Sequence, residues 1–347
     1  MANYFQRVMS QTPTNFWINN VTREEAQLAL DMGAVGCTQN PSYTWKMLIS
    51  ESDGDYAKDI LKGILATEKD DTMAEVKLQR ELVAKVAEVY MPLYESSHHK
   101  QGYVSIQGDP FHEDTKTIID CARFNREAAP NIMAKIPATP DGLKAIEVLM
   151  AEGVPINATE CMAIRQVIDV LDIYDRVAKE MENPPVVYFS LITGIFDEYL
   201  AKYVKEKGID ISPDALWQAG FSIAKKVHQI CKERKTPVGF IGGGARGLHH
   251  FTEMVGADAS ITINWKGTAD KLLEADAPVV DRFCAPTPYS VIDQLTEKID
   301  VYRQAYYINS IDPSEYEEYG PVVLFRTSFE EAWRNALNLI ADMRKTL

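Results

Sequence analysis

Residues 131–142 read NIMAKIPATPDG, an apolar run interrupted by one cation, Lys135, and closed by proline and glycine. A run this short, bounded by turn residues, reads as a strand buried on both faces in a parallel sheet. The residues that follow, TPDGLKAIEVLMAEG, have helical periodicity, with Thr139 at the cap and Pro140 at the first position. An ammonium group in the middle of such a strand is disfavoured by burial, and no acidic residue lies near it in sequence. Either the lysine snorkels from a sheet edge, or its amine is kept uncharged for a purpose.

The same alternation runs outward in both directions. Further strands are predicted at NFWINN (15–20), VGCTQN (35–40), GYVSIQGD (102–109), PINATECM (155–162), PVVYFSLI (185–192), PVGFIGGG (237–244) and ASITIN (259–264). Between them lie amphipathic stretches such as TREEAQLALDMG and AIRQVIDVLDIYDRVAKEM. Eight strands with intervening helices predict an α/β fold, a (β/α)8 TIM barrel. An open doubly wound sheet is the competing pattern. Residues 44–98 predict a helical insertion after the second strand, and 275–347 a helical C-terminal extension. With no low-complexity linker, residues 1–347 read as one domain.

Composition narrows the function. A net charge of −14 argues against nucleic-acid and anionic-membrane partners. The five cysteines (Cys37, Cys121, Cys161, Cys231, Cys284) are scattered, with no CxxC pair. They read as reduced thiols, neither a disulfide framework nor a metal site, and no cofactor is called for. MANYFQRVMSQ lacks the apolar core of a signal peptide, and no run of 18 apolar residues occurs. A cytoplasmic protein is expected, with a homo-oligomer left open.

Strand alternation puts Lys135 on one face with Met133 and Pro137. In a barrel, Asn19, Asn40, Gln107, Lys135, Asn157, Thr159 and Ser190 then point inward at one level near the C-terminal strand ends. Buried polar groups converging on otherwise apolar strands are costly unless mutually bonded, so they mark a candidate site or a satisfied polar layer. A neutral lysine amine among them is a nucleophile suited to a ketone or aldehyde.

GCTQNPS (36–42), AKIPATPDGLKAIEVLMAEG (134–153), PINAT (155–159) and IGGGAR (241–246) together resemble the transaldolase family, including its small aldolase branch. The resemblance runs from about Phe16 to Asp270 and implies a barrel in which Lys135 forms a Schiff base with a ketose. Cleavage of the C3–C4 bond leaves a three-carbon enamine, which is transferred to an aldehyde or released by hydrolysis. It further implies that Asn40 and Asn157 bind the dihydroxyacetone portion, that Thr159 positions a water, and that Arg246, with Ser190 nearby, binds a substrate phosphate. The expected partner is a small sugar or sugar phosphate.

Four positions depart from that pattern. Asn19 stands where the family carries an acid/base aspartate, and an amide cannot hold a proton at neutral pH. Gln107 stands at the water-orienting glutamate. Ile192 occupies the position of the aldolase branch's tyrosine, and Ile195 that of a second phosphate-binding arginine. Asp109, two residues beyond Gln107, is the leading candidate for a relocated carboxylate, with His112 and Glu160 as weaker candidates for the acid/base role. Glu160 is expected to face away from Thr159, and Lys266 is a candidate substitute cation. The expected function is a transaldolase-like enzyme that transfers or releases a dihydroxyacetone unit with an altered proton relay and phosphate site. A catalytically reduced sugar-binding or regulatory protein, and a lysine-imine sugar lyase or isomerase, are the alternatives.

Overall fold

The computed structural model describes residues 2–346. Its strands are β1 (Asn15–Asn19), β2 (Gly36–Gln39), β3 (Tyr103–Gln107), β4 (Ile132–Pro137), β5 (Ile156–Cys161), β6 (Val187–Leu191), β7 (Gly239–Gly242) and β8 (Ser260–Asn264). They pair in chain order, and β8 returns to β1 in register from Asn15↔Ser260 to Asn19↔Asn264. That last pairing closes the ring and excludes the open sheet. All eight predicted strands are present, trimmed at their ends where the chain turns into loops and helix caps.

The opening motif shows how local chemistry sets these ends. After β4, the Thr139 hydroxyl accepts from the Gly142 N–H at 3.2 Å and caps the helix Pro140–Ala151. A Cβ on Gly142 would lie 1.8 Å from the Pro137 carbonyl oxygen, so only glycine lets the helix start this close to the strand. Inside the barrel, Trp17, Tyr103, Met133 and Ile241 form an apolar cluster with Tyr188 against it. Two inward glycines make room for the rings: a Cβ on Gly36 would sit 2.4 Å from Trp17, and one on Gly239 2.3 Å from Tyr188. Large and small residues thus interlock across the barrel, and the floor beneath Lys135 is solid.

Three helices, Tyr43–Leu48, Gly54–Leu65 and Asp71–Ser96, fill the predicted insertion between β2 and β3. Beyond β8 the chain continues through Asp270–Ala275, Tyr289–Lys298 and Asp300–Tyr306 to a final helix, Gly320–Thr346. That helix buries Phe325, Phe329 and Trp333, and its Phe325, Ser328 and Phe329 line the cavity at the C-terminal strand ends. Of the tail tyrosines, Tyr302, Tyr316 and Tyr319 are buried; Tyr316 donates to Asp169 and Tyr319 to the Val301 carbonyl, each at 2.6 Å. Among the described residues, no helix is long and apolar enough to cross a membrane.

Candidate active site

Strand pairing brings the predicted residues together. Gln107 is level with Lys135, Lys135 with Asn157, and Pro137 with Thr159, so these side chains share the inward face. Above them opens a cavity of about 220 Å³ whose lining includes Asn19, Asn40, Lys135, Thr159, Ser190 and Arg246, together with Asn20, Thr38, Ile192, Thr262, Asn264 and Phe329. Gln107 and Asn157 lie outside that lining. Asn157 is fully buried, its amide donating to Ser105 Oγ at 3.3 Å and its carbonyl accepting from Ser190 Oγ at 2.7 Å. It fixes the Ser190 hydroxyl from below.

Lys135 is buried, with 7% of its surface exposed. Its Nζ stands 5.9 Å from the centre of the Phe329 ring. Desolvation lowers its pKa to about 8, and the nearby Glu160 charge opposes that shift. Burial outweighs the carboxylate here, and a substantial share of free amine exists near neutrality.

The amides at the mouth are tied to one another. Asn19 donates to Asn264 Oδ1 at 2.9 Å and accepts from Thr38 Oγ at 2.8 Å, and Thr38 Oγ lies 2.8 Å from Thr262 Oγ. Asn40 Oδ1 accepts from Asn20 Nδ2 at 2.8 Å and from the Ser42 N–H at 3.0 Å. Asn19 therefore works as a two-sided connector whose donor and acceptor are both used, a role that suits an amide and not a lone carboxylate.

The cation at the rim is engaged. Arg246 Nε pairs with Glu198 at 2.5 Å, and Lys202 holds the same carboxylate at 2.6 Å. These two cations keep the Glu198 carboxyl below its ordinary range. Ile195, at the position where the family pattern has a second arginine, is buried against Gly244. Lys266 is exposed and lies outside the cavity lining.

Two expectations about carboxylates are corrected. Asp109 does not reach the cavity: β3 ends at Gln107, so alternation stops there, and Asp109 instead accepts from the Phe111 N–H and pairs with His112, both at 2.8 Å. Both residues line a separate small cavity of about 30 Å³, whose wall also includes Gln107, Glu113 and Lys135. Glu160, expected to face outward, is turned inward. Its φ is +60°, and the β5–β6 register shifts between Ala158 and Cys161. A left-handed residue other than glycine costs about 1–2 kcal/mol, so the surroundings must enforce it. Gln166 Nε2 holds the Glu160 carbonyl at 3.1 Å and the Ala138 carbonyl at 3.0 Å. The Glu160 carboxylate accepts from Gln107 Nε2 at 2.8 Å.

Sequence reasoning missed Glu113, which reaches the same Gln107 amide at 3.4 Å, and Phe329, which comes from the far end of the chain. A carboxylate inside the apolar run PINATECMA was a usable signal for Glu160, because a buried charge without a partner is costly. No comparable local signal marks Phe329.

A closed parallel barrel organised around one desolvated lysine, with amides and hydroxyls at its open end, defines the class of protein. The chain belongs to the transaldolase/fructose-6-phosphate aldolase family, which it matches over residues 16–302. A transaldolase of Saccharopolyspora erythraea is 30% identical over 175 residues, 48% of this chain and 46% of that protein. A transaldolase 2 of a Nostoc species is 29% identical over 238 residues, covering 65% of this chain and 58% of its own. A Mycobacterium tuberculosis transaldolase is 31% identical over 176 residues, covering 48% of this chain and 46% of its own. The matched stretch spans about half the length of these curated relatives.

Proposed function

We propose that the protein is a Schiff-base enzyme that takes a three-carbon ketol unit from a ketose, with Lys135 as the nucleophile. The observation that carries the reading is the desolvation of Lys135 at the base of a hydroxyl- and amide-lined cavity. The free amine adds to the C2 carbonyl and loss of water gives the imine; as the C4 hydroxyl yields its proton to water and becomes the aldehyde carbonyl, the protonated imine accepts the electron pair of the breaking C3–C4 bond. Thr159 and Ser190 line the cavity beside the lysine and suit a polyhydroxylated substrate. The chain acts as one domain on this reading, supported by the 2.7 Å pair between Arg344 of the last helix and Asp71 of the insertion.

The test is borohydride reduction in the presence of dihydroxyacetone or fructose 6-phosphate, followed by mass spectrometry of the intact chain and its peptides. The expected result is a stable adduct on Lys135 that is absent from Lys135→Ala. A correctly folded protein that yields no adduct across a broad panel of ketoses is a sugar-binding protein instead. The Asn19 amide, engaged on both its oxygen and its nitrogen, favours that second reading.

The engaged Arg246 makes a separate prediction about phosphate. An incoming phosphate must compete with Glu198, which two cations already hold. Glu198→Gln is expected to tighten calorimetric binding of fructose 6-phosphate by roughly tenfold, about 1.4 kcal/mol, and to leave fructose unchanged. Equal effects on both sugars would remove Arg246 from phosphate recognition.

A further inference from the structure

Glu160 and Gln107 form a buried hydrogen-bonded pair close enough to Lys135 for the Glu160 charge to act on it. One amide, Gln107 Nε2, donates to Glu160 at 2.8 Å and approaches Glu113 at 3.4 Å, so two carboxyl groups share a single donor. Burial raises both acids, and the Glu160 charge adds to the rise at Glu113; the shared Gln107 donor, and Lys135 for Glu160, act in the opposite sense. Arg326 of the final helix also favours their charged forms, while Glu317 adds to the pressure on Glu113. Three buried atoms in this arrangement, Glu160 Oε2, Gln107 Oε1 and Thr159 Oγ, have no hydrogen-bond partner among the described residues. Glu160 is the carboxyl whose charge acts on Lys135, yet no ion pair of 4.0 Å or less joins them. A proton passing between them therefore needs an intervening oxygen, such as that of a carbinolamine.

We propose that Glu160, turned inward by its left-handed backbone and held by Gln107, is the acid and base of the carbinolamine–imine step at Lys135. The inference rests on the Schiff-base reading above. As the acid, the Glu160 carboxyl gives its proton to the carbinolamine hydroxyl. The C–O bond breaks, water leaves, and the nitrogen lone pair forms the C=N bond, leaving a protonated imine and a carboxylate. In hydrolysis the carboxylate takes a proton from the attacking water as the new C–O bond forms and the C=N π pair returns to nitrogen. Protons and electrons balance over the pair of steps, and no further reactant is needed.

The test is exchange of the carbonyl oxygen of dihydroxyacetone with ¹⁸O-labelled water on the full-length protein, corrected for spontaneous exchange. Each passage through the imine and back exchanges that oxygen without requiring C–C cleavage. The unmodified protein is expected to catalyse exchange and Lys135→Ala to lose it. Glu160→Gln, which imitates the neutral carboxyl, is expected to slow exchange by about 10²-fold or more. Its equilibrium yield of borohydride-trapped adduct and its melting temperature are expected to stay the same. The paired exchange Gln107→Glu with Glu160→Gln reverses the hydrogen bond, returns a carboxyl to the neighbouring position, and is expected to recover at least about tenfold. Undiminished exchange in Glu160→Gln overturns the assignment of Glu160 alone, and so does a parallel loss of adduct yield and folding. Absence of both exchange and adduct in the unmodified protein overturns the Schiff-base reading with it.

Discussion

Lys135→Met is expected to abolish adduct formation and, in the same variant, to raise the melting temperature. The lysine's pKa falls from 10.5 to about 8 on folding, driven by desolvation. Since one pKa unit corresponds to about 1.4 kcal/mol, burying this ammonium costs on the order of 3 kcal/mol. The unfolded chain binds the proton more tightly, so the penalty is fully present at low pH and is relieved as pH rises from about 8 towards 10.5. Methionine keeps the length and flexibility of the side chain without the charge, and a gain of about 1–3 kcal/mol is expected at neutral pH. Thermal melts of the two proteins near pH 7 and near pH 10 check the sign, because the advantage of methionine should shrink at the higher pH. The same shift bears on the proposed chemistry. At pH 7 roughly one lysine in ten is neutral, against about one in three thousand at the ordinary value. The rate of adduct capture is therefore expected to climb with pH and level off above about 8. A midpoint near 10.5 would show that the amine is fully hydrated, and a methionine variant that melts lower would show that the lysine is not a strained residue.

Phe329→Ala is expected to damage both stability and reactivity. The ring is 1% exposed and belongs to the core shared by the last helix and the barrel. Removing a buried phenylalanine typically costs about 3–5 kcal/mol. Two effects of the ring on Lys135 oppose each other. Its face attracts a cation, which raises the pKa, but the ring centre is 5.9 Å away, at the outer limit of that interaction. Its bulk also excludes water, which lowers the pKa, and desolvation is the dominant influence on this lysine. Loss of the ring is thus expected to move the midpoint of adduct capture upward, slowing capture at pH 7 by roughly 10- to 100-fold. Phe329→Leu, which keeps most of the bulk and none of the aromatic face, should retain the low midpoint. A downward shift in the alanine variant would mean that cation attraction is the larger effect.

The barrel was legible in the sequence because its strands are buried on both sides, so each is a short apolar run with glycine, proline or a capping threonine at its ends. Inward-facing residues followed from alternation as long as the pleat was regular. That reasoning places Asn19, Lys135, Thr159 and Ser190 around one cavity. It fails at the strand ends. Asp109 lies past the last paired residue of β3, and Glu160 sits where a left-handed backbone reverses the side chain. Gln107 and Asn157 face inward as expected, but hydrogen bonds to Glu160 and to Ser105 and Ser190 hold them out of the cavity wall. Phe329 is a long-range contact, and no local pattern announces which helix will cross a barrel mouth.

The last helix also links reactivity to the order in which the chain is assembled. Lys135 lies in the fourth strand, whereas the ring that keeps it dry arrives with residues 320–346. A partly folded chain with the eight strands joined and that helix undocked would leave the lysine wet, protonated and indifferent to carbonyl compounds. Free sugars and aldehydes in the surroundings would then find no nucleophile on an immature molecule. On the proposed Schiff-base reading, the amine would gain its reactivity only as the final helix docks, which would tie the chemistry to completion of folding.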